Sequence, residues 1–96
     1  MIKVYHGKNF GQMALKQTQW PADYELVATV KTDDLEKAFE LTNHINSIWM
    51  QNPDVTAEPG QHRSTSVGDV MVDESARTWQ CGDFGWREIA SVQGDA

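Results

Sequence analysis

Apolar and polar side chains alternate through Ile2-Lys3-Val4-Tyr5-His6, a pattern that predicts a β-strand with one buried face. His6 reads there as a polar residue ending an edge strand. Gly7-Lys8-Asn9-Phe10-Gly11 interrupts the pattern, and the good helix formers of residues 12–18 predict a short helix with little stability of its own. Trp20-Pro21 marks a boundary, because proline disfavours helical geometry in the residue before it. The β-branched, mostly alternating run Tyr24-Glu25-Leu26-Val27-Ala28-Thr29-Val30 predicts a second strand.

The period then lengthens. From Thr32 to about Asn46, Leu35, Ala38, Phe39, Thr42, Ile45 and, beyond them, Trp49 recur at helical steps; Leu41 and Ile48 widen the stripe, and Glu36, Lys37 and Glu40 lie opposite. Thr32 reads as the cap of this amphipathic helix, with Asp33, Asp34 and Glu36 placing negative charge at the positive end of its dipole. Asn52-Pro53-Asp54 and Glu58-Pro59-Gly60 then enclose a polar connection.

From Arg63 the pattern is strand-like again. Val67, then Val70 and Val72 around Gly68-Asp69, predict a turn feeding a strand. Asp73-Glu74-Ser75-Ala76 reads as the connection of a hairpin whose second strand is Arg77-Thr78-Trp79-Gln80-Cys81. Gly82-Asp83-Phe84-Gly85 breaks that strand, Trp86-Arg87-Glu88-Ile89 predicts a closing one, and residues 91–96 read as a flexible tail. The expected architecture is α+β: residues 1–90 form one domain, a small antiparallel sheet with one long amphipathic helix packed on one face.

Size and charge narrow the function. A chain of 96 residues supports one core rather than two. Its formal net charge of −6, with no cluster of basic residues, repels phosphate backbones, so direct nucleic-acid binding is not expected. No apolar run is long enough for a membrane span, and the start lacks the apolar stretch of a secretory signal, so the expected location is the cytoplasm. Cys81 is the single cysteine, and His6, His44 and His62 lack ligand spacing, so neither a metal nor a cofactor is expected. Four tryptophans in so short a chain, together with open strand edges, lead to the expectation of a homodimer.

The segment Arg63-Ser64-Thr65-Ser66-Val67-Gly68-Asp69-Val70-Met71-Val72, followed by Trp79, Cys81 and Phe84-Gly85-Trp86, resembles small YodL-like proteins of phages and mobile elements. In that pattern a serine-rich turn and an acidic residue precede an apolar strand, and a hairpin and an aromatic-glycine unit close it. The resemblance spans about residues 62–89 and leaves residues 1–30 unmatched. It implies a phage or mobile-element origin, hence a host-cell cytoplasm, and a small α+β fold; it brings no activity with it.

The same turn has a structural reading. Ser64 and Ser66 can bond local backbone, Gly68 can supply a positive φ, and Asp69 can accept backbone amides at a strand entrance. The functional reading makes Arg63, Ser64, Ser66 and Asp69 part of a partner-binding edge, with Trp49 or Trp86 as an anchor. A second candidate surface is the acidic helix face of Asp33, Asp34, Glu36 and Glu40. The favoured function is a non-enzymatic module that binds a host protein, as a phage-encoded inhibitor of a defence or regulatory protein would. Two other classes stand beside it. One is a DNA-mimicking antirestriction factor. The other is a small ADP-ribosyltransferase-like or nucleotide-binding enzyme, since Val4-Tyr5-His6-Gly7 resembles the strand-ending His-Gly of those folds, where the histidine orients a nicotinamide nucleotide.

Overall fold

A computed structural model describes residues 1–8, 20–43, 49, 52–60, 62–82 and 85–89. Six strands, β1 (Ile2–Gly7), β2 (Tyr24–Val30), β3 (Val55–Ala57), β4 (Val70–Val72), β5 (Thr78–Gly82) and β6 (Gly85–Ile89), form one sheet in the order β3-β2-β1-β4-β5-β6. Every neighbouring pair is antiparallel. One helix, α1 (Leu35–Thr42), follows β2. The α+β expectation is met in its coarse form, an antiparallel sheet with a helix, but the helix is short. The expected helix at residues 12–18 and the expected tail at 91–96 lie outside the described residues.

The core is the face of the sheet that meets α1. Val4 stands opposite both Ala28 of β2 and Met71 of β4, which fixes the apolar residues of three strands in one layer. A register shift in the β1–β2 ladder between Val4 and Tyr5 leaves an extra residue on β2, so the consecutive Val27 and Ala28 are both fully buried. Ala38 and Leu41 of α1, Trp49 and Val55 complete the core, with Leu35, Phe39 and Trp86 packed at its margin.

α1 begins and ends differently from the expectation. Asp34, not Thr32, is its cap: the Asp34 carboxylate accepts the Glu36 amide at 2.9 Å, while the Thr32 hydroxyl accepts the Asp34 amide just outside the helix. The helix stops at Thr42 rather than near Asn46. The backbone carbonyl of Thr42 is taken by the amide of Thr65 at 2.9 Å, and the Asn43 side chain donates to the Thr65 carbonyl. The distant segment around Thr65 thus captures the groups that another helical turn would use. Residues 44–48 of the expected stripe lie outside the described residues.

β3 was not expected. It pairs with β2 through Val55 opposite Val30, and Asn52 prepares it, since its side chain accepts the Asp54 amide and its carbonyl the Val55 amide. β1 is central rather than an edge, so His6 is 3% exposed and does not end an edge strand.

Candidate functional site

Two features of the fold gather several of the candidate residues named above. The first is a polar node at the end of β1, closed by the turn that leads into β4. Asp69 has no exposed surface and accepts from four directions. Its Oδ1 takes the Gly7 amide at 3.0 Å and its Oδ2 the Ser66 amide at 2.7 Å, and Arg63 spans both oxygens at 2.7 Å each. The Arg63 guanidinium also donates to the carbonyls of Ser64 and Gly7. The turn holds its shape through Gly68, whose φ of +96° suits glycine, and whose carbonyl receives the Tyr24 hydroxyl at 2.7 Å.

His6 and Thr65 adjoin this node. The His6 Nε2 lies 2.9 Å from the Thr65 hydroxyl and 3.9 Å from Asp69 Oδ2. Burial pushes the imidazole down to about 4, against the pull of Asp69, and the positive charges of Arg63 and His62 lower it further. A hydroxyl, an imidazole and a carboxylate are therefore together, but hydroxyl and carboxylate face the same ring nitrogen. A nucleophile relay places them on opposite nitrogens. Thr65 also has no exposed surface. The arrangement joins β1 to the β4 turn; of the structural reading of the serine-rich segment it shows Gly68 at positive φ and Asp69 accepting a local backbone amide, while the link to β1 is additional.

The second feature is a groove between α1 and the β5–β6 hairpin. Glu36 and Phe39 line it from the helix, Cys81 and Trp86 from the hairpin, and Val67 from the turn before β4, around a volume of about 350 Å³. The Trp86 indole donates to Glu36 Oε1 at 2.8 Å, and the Phe39 and Trp86 rings meet edge to face with centroids 6.1 Å apart. Val67 is 48% exposed, one of two large hydrophobic residues in that state among those described. A shallower depression of about 460 Å³ shares Glu36 and Phe39 and continues along the helix past Asp34, Lys37 and Glu40.

Most of the candidates read from the sequence fall in or beside these features, and Asp33 falls in neither. Arg63 and Asp69 bond each other in the node, Ser66 supplies a backbone amide to it, and Ser64 a carbonyl. Trp49 is 3% exposed and lies against the rings of His6 and His62. Asp33 is exposed and reaches the Met1 amine at 3.1 Å. Asp34 caps the helix, and Glu40 pairs with Lys37 at 3.3 Å on its exposed face. Trp86 and Glu36, assigned in the sequence to separate surfaces, meet in the groove. Phe39 and Val67 were read as core or strand residues and not as part of a surface. No local signal joins residues so far apart in the chain. Among the described residues no group of histidine, cysteine and acidic side chains could hold a metal ion, and no helix is long and apolar enough to cross a membrane. Comparison of the chain with protein-family models, with curated proteins and with solved structures finds no match.

Proposed function

We propose that this chain is a non-enzymatic protein-binding module that meets its partner through the face formed by α1 and the β5–β6 hairpin. In a phage setting the partner is a host defence or regulatory protein. The observation that carries the reading is the groove itself, where an exposed Val67, the half-buried rings of Phe39 and Trp86 and the Glu36 carboxylate share one concave surface. Interface anchors are typically aromatic side chains in a pocket with a polar rim. The node around Asp69 supports the same choice from the other side, because its charges already satisfy one another and so leave the module's recognition to α1 and the hairpin.

Affinity capture from a bacterial lysate, read by mass spectrometry, tests the proposal when wild type is compared with three folded variants. Trp86→Ala and Glu36→Lys/Glu40→Lys alter the groove, and Thr56→Lys alters the exposed face of β3 at the far edge of the sheet. The expected result is one protein retained by wild type and Thr56→Lys and lost by both groove variants. Capture that survives both groove variants would overturn it.

A further inference from the structure

We infer that the groove between α1 and the β5–β6 hairpin takes an arginine side chain from a basic segment of a protein partner, its guanidinium stacked on the face of the Trp86 indole and paired with Oε2 of the Glu36 carboxylate. This rests on the protein-binding reading and names the chemistry that the site selects. At about 350 Å³ the groove is at the small end of ligand sites, which run from roughly 300 to 1,000 Å³, and has room for one long side chain.

Two aromatic rings, Phe39 and Trp86, stand in its walls, and its one charged lining residue among those described, Glu36, is an acid. The indole N–H holds Glu36 Oε1 at 2.8 Å, which fixes the carboxylate beside the ring before any ligand arrives. Among the described residues no hydrogen bond is made to Glu36 Oε2. A flat, weakly hydrated cation is the group that both stacks on an aromatic ring and pairs with a carboxylate, and guanidinium does this better than the compact, strongly hydrated ammonium of lysine. The neighbouring depression adds Asp34 and Glu40, and its single cation among the described residues, Lys37, lies 3.3 Å from Glu40. Residues flanking the inserted arginine therefore meet a negative surface, and the net charge of −6 steers a basic segment toward it. Phosphate-bearing ligands meet the opposite condition.

The test is a titration followed by two-dimensional amide NMR, with a short capped peptide of glycine and leucine around one arginine as the probe. The Trp86 indole resonance is identified by its loss in Trp86→Phe. The arginine peptide should shift that resonance and the amides of Val67 and Cys81 with millimolar affinity, and replacing arginine by the neutral isostere citrulline should weaken binding about tenfold. Lysine in its place should bind several-fold more weakly. Glu36→Gln, which keeps an acceptor for the indole, should weaken the arginine peptide by roughly fivefold. Absence of shifts at millimolar peptide, equal binding of arginine and citrulline, or shifts spread over α1 without Trp86 would each overturn the inference. If lysate capture still depends on Trp86 in that event, the binding-module reading stands and only the guanidinium assignment falls; if capture is also indifferent to Trp86, both fall.

Discussion

Replacing Asp69 by alanine should come close to unfolding the domain. The substitution strands the Gly7 and Ser66 amides, which donate at 3.0 and 2.7 Å to an Asp69 with no exposed surface, the Gly7 amide in a buried bond and the Ser66 amide in a part-buried one. Each buried donor left without an acceptor costs about 1–3 kcal/mol. It also removes the counter-charge of Arg63, whose side chain is 25% exposed and keeps the Ser64 and Gly7 carbonyls, so water and those acceptors recover part of what a fully buried cation would lose. Breaking a buried pair costs about 3–5 kcal/mol at full burial, and roughly half of that is reasonable here. The sum is on the order of 5 kcal/mol, against about 5–15 kcal/mol for the whole stability of a small domain. A fall in melting temperature of about 20 °C or more follows, measured by circular dichroism. Arg63→Met should cost less, because Asp69 keeps its two backbone donors, and Asp69→Ala/Arg63→Met should cost less than the two singles added together. A loss below about 1 kcal/mol in Asp69→Ala would show that the node does not hold β1 to the β4 turn.

Acid should destabilise the fold through His6. Its value is about 4 when folded and 6.5 as the ordinary value, so the unfolded chain binds the extra proton; the contribution is whole above pH 6.5 and disappears as pH falls toward 4. Urea unfolding should show a loss of about 2 kcal/mol between pH 7 and pH 5, flattened in His6→Asn, and an unchanged midpoint in wild type would place the ring in water. Phe39 is half-buried rather than enclosed, so Phe39→Ala should cost about 1–2 kcal/mol in thermal unfolding, below the 3–5 kcal/mol of a fully buried ring. A loss above that lower range would put the ring in the core and not on the groove wall.

Period and composition carried much of the fold. β2 runs over Tyr24–Val30, as alternation indicates, and the breaks around Gly82 and Gly85 separate β5 from β6. What sequence pattern could not hold was the end of α1, because the stripe continues toward Trp49 while the capture of Thr42 by Thr65 is a contact between distant segments. β3 was hidden for a related reason: Val55 and Ala57 are a short apolar signal in a polar connection, and the segment becomes a strand by pairing with β2. At the site, Asp69 as an acceptor of backbone amides was legible from its place after Ser66 and Gly68. Its second backbone donor, Gly7, was not, since only the central position of β1 brings it there. The same limit applies to Trp86 and Glu36, whose meeting depends on how the hairpin lies over the helix.

The position of β1 between β2 and β4 also shapes how the chain closes during synthesis. At about 5–20 residues per second, β2 follows β1 from the ribosome within seconds, whereas β4 and the Asp69 turn follow several seconds later. Throughout that interval the β1–β2 hairpin shows unpaired backbone along the side that β4 will occupy, beside the apolar Ile2 and Val4. Such an edge accepts a strand from any chain that presents one. Neighbouring nascent chains on one message are the nearest supply, so slowing translation between β2 and β4 should lower the yield of correctly closed sheet.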